Sequence, residues 1–190
     1  MKRICIFCAS SPRIPQIYFD DARRLAELMV ESGYEMVYGG GSVGLMGTMA
    51  DVMLEHNAGV VGVIPKFMVE VEWQHKGVKE MHLTETMSER KQMMIKMSDA
   101  IITLPGSTGT LDELFEAASD KKLGLINKPL VILNTNGFYD SQIALLQRMV
   151  DENFMADVHL RKISVANTPE EAINLCCQTE EPTSLSDAQL

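Results

Sequence analysis

Ala100-Ile101-Ile102-Thr103-Leu104-Pro105-Gly106-Ser107-Thr108-Gly109-Thr110 passes from an apolar, β-branched run through a turn of glycines and hydroxyls into a segment of helical period. The same progression recurs along the chain. Strand patterns fall at residues 4–9, 35–38, 60–64, 100–104, 130–133 and 163–165, with a weaker one at 79–83. Helical patterns fall between them at 16–32, 43–57, 87–97, 110–123, 139–152 and 169–177. Strict alternation with short connections makes each helix a crossover, so successive strands run parallel and helices cover both faces of the sheet. The expected architecture is α/β, a Rossmann-like doubly wound parallel sheet. Capping-box spacing marks three helix starts: Thr86 with Glu89, Thr110 with Glu113, and Thr168 with Glu171, the last followed by Pro169 at the favoured first helical position. Residues 1–178 read as a single globular domain without repeat or linker. The polar, acidic stretch 179–190 reads as a flexible tail.

A chain of 190 residues can bury a hydrophobic core without disulfide or metal staples. Its formal net charge of -9 is poorly suited to a polyanion, so nucleic acid is not an expected partner. Lys2 and Arg3 ahead of a short apolar run imitate a secretory leader. The run is too short, however, and Arg13, Asp20 and Asp21 follow closely, so it reads as a first strand. No stretch approaches the roughly 18 apolar residues of a membrane span. A cytoplasmic protein without a membrane partner is expected. Cys5 and Cys8 have C-x-x-C spacing, but three residues along a strand place them on opposite faces, which makes them buried free thiols. His56, His75, His82 and His159 lack zinc-site spacing, so no metal site is expected. Met93, Met94 and Met97 crowd one helix, as core filling or as an apolar dimer face.

Ligands of open parallel sheets bind beyond the carboxyl ends of the strands, where loops converge and helix N-termini present free N–H groups. The unusual residues of this chain fall there. Ser10 and Ser11 follow the first strand, Gly39-Gly40-Gly41-Ser42 the second, and Pro105 to Thr110 the strand at 100–104. Gly39 to Gly44 fits G-x-G-x-x-G, the dinucleotide fingerprint, but the next strand tip reads Val63-Ile64-Pro65-Lys66, without the carboxylate that holds a ribose in NAD sites. Phosphate or sugar contact, or a tight turn, remain as readings of that loop. The Pro105–Thr110 turn combines two glycines, three hydroxyls and the start of a helix, which suits an anion. It lacks the lysine of a Walker loop, so a monophosphate fits better than a triphosphate. Glu113 is open to two readings, partner of Thr110 in a capping box or carboxylate facing a sugar. Arg90 and Lys91 read as a solvated charged pair or as part of the site.

With these residues the chain resembles the LONELY GUY family of cytokinin riboside 5′-monophosphate phosphoribohydrolases, often mislabelled lysine decarboxylases. The family signature P-G-G-x-G-T-x-x-E, preceded by an R-K pair, corresponds to Pro105-Gly106-Ser107-Thr108-Gly109-Thr110-Leu111-Asp112-Glu113 and Arg90-Lys91. Tyr38-Gly39-Gly40-Gly41, Gly44-Leu45-Met46-Gly47 and Phe7-Cys8-Ala9-Ser10-Ser11 are similar as well. The resemblance implies hydrolysis of the N-glycosidic bond of a nucleoside 5′-monophosphate to free base and ribose 5-phosphate. It implies Arg90 and Glu113 as the catalytic pair, and Gly106, Ser107, Thr108, Gly109 and Thr110 as the phosphate cradle. Glu72, Lys91, Ser10, Gly40, Gly41 and Ser119 become further substrate contacts. No cofactor or metal is implied, and the expected assembly is a homodimer or larger homo-oligomer.

Two departures bear on this expectation. Ser107 stands at the signature's second glycine, which costs roughly 1–2 kcal/mol if the position requires φ > 0. Ser119 and Asp120 stand where plant members carry threonine and tryptophan, which leaves plain AMP open beside a prenylated substrate. The rival reading from another class is a nucleotide-binding or molybdenum-cofactor carrier of similar fold, for which an Arg90–Glu113 pair has no use. A DNA-processing type of Rossmann domain is disfavoured by the charge. Amino-acid decarboxylation requires a lysine that holds pyridoxal phosphate, and no motif marks one.

Overall fold

The computed structural model describes residues 2–69 and 73–177. In chain order the elements are β1 (Arg3–Phe7), α1 (Gln16–Glu31), β2 (Glu35–Tyr38), α2 (Gly44–Glu55), β3 (Val60–Pro65), α3 (Lys66–Val69), β4 (Glu80–Thr84) and α4 (Met87–Lys96). They continue with β5 (Ala100–Thr103), α5 (Thr108–Lys122), β6 (Leu130–Leu133), a 3₁₀ turn (Thr135–Gly137), α6 (Asp140–Asp151), α7 (Asp157–Leu160), β7 (Ser164–Ala166) and α8 (Pro169–Cys176).

The strands pair in parallel in the order β4-β3-β2-β1-β5-β6-β7. The chain winds outward from β1 to β4, then returns to the other side of β1 for β5. The doubly wound parallel sheet expected from the sequence is therefore present. Alternation along each strand divides the core into two layers. Ile4 and Ile6 of β1 face a core built with α1, α2 and α8, through residues such as Leu25, Met49 and Ala172. Cys5 and Phe7 face a second core with Met94 and Ile95 of α4 and Leu114 and Ala117 of α5. Cys8 joins the first layer, so the two thiols stand on opposite faces. Met94 is buried in the second core and Met93 and Met97 pack against it, which makes this methionine cluster core filling.

All seven strand patterns correspond to strands. The weak one is β4, an edge strand whose Glu80 and Leu83 are exposed, so its apolar alternation is diluted. The pattern at 4–9 overshoots, since β1 ends at Phe7. The elements α3, α7 and the 3₁₀ turn carry no signal, because three or four residues are too short for a period to register.

The helix starts correct two expectations. Thr86 and Glu89 form a reciprocal capping box, whereas Thr168 accepts from the Glu171 N–H but the Glu171 carboxylate returns to the Asn167 N–H at 2.7 Å, so only half of the box forms ahead of Pro169. Thr110 and Glu113 do not form one. The Leu111 N–H donates to the Ser107 carbonyl at 3.0 Å, so α5 closes its first turn three residues early, and Ser107 is the N-cap in place of Thr110. Thr110 is thereby buried in the first turn and Glu113 turns inward. Ser107 has φ -91, a conformation open to any residue, so serine in place of the signature glycine carries no backbone strain. The expected acidic tail at 179–190 lies outside the described residues.

Candidate active site

The strand order reverses between β1 and β5, and there the loops leave for opposite faces, opening a crevice at the carboxyl edge. Its two walls are tied together by the Ala9 N–H, which donates to the Pro105 carbonyl at 3.1 Å. Beside it, over β2 and β3, lies a cleft of about 310 Å³. Ser10, Gly39, Gly41 and Arg90 line one part of it, and Val43, Met46, Ile64, Met68 and Trp73 give it an apolar wall. That volume and that mixture suit a small organic ligand. A second groove of about 200 Å³ lies across the β1 loop, lined by Ser11, Tyr18, Pro105, Gly106, Ser107 and Phe138 among others.

Arg90 and Lys91 are not solvated. Arg90 is 4% exposed and Lys91 8%. The capping box at Thr86 fixes the start of α4, and one turn later the helix points Arg90 at the carboxyl end of β3. There the guanidinium donates through Nε to the Val63 carbonyl at 3.0 Å and through Nη1 to Glu113 Oε1 at 2.6 Å. Glu113 has the opposite charge and nearly equal burial. Its other oxygen accepts no hydrogen bond among the described residues. Burial raises the Glu113 carboxyl above the ordinary glutamate value, and the charge and hydrogen bond of Arg90 pull it back in part. Lys91 is bound by Asp112 at 2.8 Å and by Glu116, which joins α4 to the first turns of α5. Burial lowers the Lys91 pKa, but the two carboxylates outweigh it and the net direction is upward.

A buried ion pair is expensive to desolvate and is weak evidence for stability. Its position is therefore informative. Arg90 is the charged side chain on the cleft wall among the described residues, and Glu113 is bound to it there, 4% exposed and with its second oxygen free of hydrogen bonds.

The residues expected at the site separate into groups. Arg90, Ser10 and Gly41 line the cleft, with Glu113 attached through Arg90. Gly40 adopts φ +75 beside them. Gly106 and Ser107 line the second groove, while Thr108 and Gly109 lie exposed at the start of α5. Thr110 is buried against Gly106, whose Cβ, if present, would overlap its hydroxyl. Lys91 braces the helices and lines neither opening. Ser119 opens instead on a groove of about 160 Å³ with Phe115, Met149 and His159, which shares no residue with the cleft. Glu72 lies outside the described residues.

Trp73 and Met68 carry no motif and were not legible as site residues. Trp73 is the chain's single tryptophan, yet it is 57% exposed, an unusual place for such a side chain and the one signal available. Its segment is stitched over the Gly39–Ser42 loop: the Ser42 N–H donates to the Trp73 carbonyl and the His75 N–H to the Gly40 carbonyl.

Fold and site together define a Rossmann-like α/β protein with a cleft at its carboxyl edge and a buried arginine–glutamate pair at the wall. The family model described as "Possible lysine decarboxylase" matches residues 46–176. A probable cytokinin riboside 5′-monophosphate phosphoribohydrolase of Oryza sativa subsp. japonica, LOGL1, is 42% identical over 153 residues, covering 80% of this chain and 69% of its own. The Arabidopsis thaliana enzyme LOG2, named cytokinin riboside 5′-monophosphate phosphoribohydrolase, is 40% identical over 170 residues, covering 89% and 80%. The chain belongs to this LOG family. The molybdenum cofactor binding protein of Rippkaea orientalis has the same fold, with a TM-score of 0.68 at 20% identity over 92% of this chain and 95% of its own.

Proposed function

We propose that this protein hydrolyses the N-glycosidic bond of a purine nucleoside 5′-monophosphate, with Arg90 and Glu113 as the catalytic pair. The observation that carries the reading is the buried 2.6 Å contact of these two side chains at the cleft wall. In the reaction the C1′–N9 electron pair leaves with the base, water adds its oxygen to C1′ and loses a proton, and the base gains one. The transition state has cation-like character at C1′, which a nearby carboxylate stabilises. The free oxygen of Glu113 takes that role and orients the attacking water. Arg90 orients that carboxylate and offsets the negative charge that develops on the departing base.

The α5 N-terminus, with Ser107, Thr108, Gly109 and Thr110, holds the 5′-phosphate. Gly109 supports this assignment. A Cβ there would meet nothing within 4 Å, and its φ is not positive, so neither crowding nor backbone accounts for glycine near the start of a helix. An anion approaching the free N–H groups does account for it. Phosphate binding then positions the sugar through remote contacts. The apolar wall of Met46, Met68 and Trp73 takes the base. The likeness to molybdenum-cofactor proteins is one of fold, and a carrier would not use the ion pair.

Residues 1–178 form the catalytic unit in this reading, and the protein works in the cytoplasm. No helix among the described residues is long and apolar enough to cross a membrane. Self-association belongs to the same reading, since Leu125 and Phe154 are 68% and 78% exposed. Light scattering after gel filtration is expected to give a dimer or larger species. The function is tested by incubation with AMP and with isopentenyladenosine monophosphate. Free base and ribose 5-phosphate are the expected products, and release from neither would overturn the proposal.

A further inference from the structure

We infer that Gly39 is a positioning residue whose missing side chain is the seat that holds the Arg90 guanidinium against Glu113. The kinetic part of its test rests on the reaction proposed above. Gly39 follows β2 directly and is not among the glycines of positive φ, so the backbone does not demand glycine there. Space does. A Cβ on Gly39 would overlap Arg90 Nη2 and stand 3.1 Å from Cζ and 3.2 Å from Met46 Cε.

Met46 ends in a flexible thioether and can yield, but the guanidinium cannot. Its Nε is engaged by the Val63 carbonyl and its Nη1 by Glu113, at 3.0 and 2.6 Å. Three neighbours thus fix its three nitrogens: the end of β3, α5, and the bare Cα of Gly39. The adjoining glycines differ. Gly40 is required by its φ of +75, and a Cβ on Gly41 would meet Met46 alone. A loop that reads as a phosphate or sugar contact therefore acts at its first residue on an arginine of the same chain.

The test is a double-mutant cycle of Gly39→Ala and Arg90→Gln, with the better of AMP and isopentenyladenosine monophosphate as substrate. Gly39→Ala is expected to lower kcat about 100-fold while KM changes less than about threefold, because transition-state contacts are lost and ground-state binding is not. The Arg90 Nε–H resonance is expected to lose its protection from solvent exchange. The same change is expected to cost thermal stability when Arg90 is present and little in the Arg90→Gln background, and to add no further loss of kcat there. Wild-type kcat in Gly39→Ala, losses that multiply in the double variant, or an equal stability cost in both backgrounds would each overturn the seat. A Gly39→Ala protein that fails to fold is decided by the double variant, which folds if the clash with Arg90 is the cause. Should the wild type release no base, the proposed reaction fails, and the stability cycle and exchange measurement still decide the seat.

Discussion

The loop after β2 and the loop after β5 are both rich in glycine, and they need it for different reasons. In the first, Gly39, Gly40 and Gly44 are explained from within. Gly39 makes room for Arg90, and Gly40 and Gly44 take positive φ, while Gly41, on the cleft wall, meets only the yielding Met46. In the second, Gly106 makes room for Thr110, but Gly109 faces open space with an ordinary backbone. Glycine explained by internal contacts positions the protein's own groups, and glycine left unexplained by them marks where something else approaches. A motif match does not separate these cases, because both give the same letter.

The comparison is most exposed at the pair that the first loop serves. Glu113→Gln is expected to lower kcat about 1,000-fold, in line with loss of a preorganised charge in the transition state. It is also expected to cost about 3 kcal/mol in chemical denaturation, because Arg90 keeps its charge without a counter-ion. Full turnover in that variant would remove the catalytic role of the pair. The pH profile tests the same group. The carboxylate is the working form and its pKa is raised by burial, so kcat is expected to fall, as pH drops, through a point above the ordinary value of 4.5. Arg90 holds that value down, so in Arg90→Gln the Glu113 carboxyl, followed by ¹³C NMR, is expected to titrate at still higher pH. A downward move would contradict the coupling.

The second loop is sharpened by Gly109→Ala. A new methyl group would occupy the open space, so KM for the nucleotide is expected to rise about tenfold with kcat less affected. Thermal unfolding of the same variant is expected to show a gain of up to about 1 kcal/mol, since alanine is the better helix former. Loss of stability with unchanged KM would place Gly109 with the internally explained glycines. The smallest effect is expected at the support of Arg90. Thr86→Ala removes the hydroxyl that accepts from the Glu89 N–H at 3.1 Å and is expected to cost about 1 kcal/mol in denaturant unfolding. An effect on KM as large as that of Gly109→Ala would show that the two loops are not separable.

Much of this was legible in the order of residues. The alternation of strand and helix periods gave seven strands and the doubly wound sheet, because apolar periodicity is set by backbone geometry and survives in any context. The capping box at Thr86 and the N-cap at Thr168 were legible because a cap is a contact over three residues. Local spacing failed at Thr110 and Glu113, where a competing turn closed at Ser107 and released the glutamate inward. The charge pattern at Arg90-Lys91 left a solvated pair and a site pair equally open, and burial against β3 and α5 removed the first reading. Ser119 fell on a different groove for a similar reason, since position along a helix does not tell which neighbour it will meet.

By itself, the sequence determined which segments become strands and helices and that their glycine turns gather at one edge of the sheet. These are consequences of short-range geometry and of the parallel order that crossovers impose. Only the tertiary structure decided that Arg90 and Glu113, 23 positions apart, share a buried contact. It also decided that Gly39 is bare because a guanidinium occupies its side-chain space. Both depend on which surfaces meet when α4 and α5 converge on the ends of β2 and β3, and no spacing along the chain encodes a distance across it.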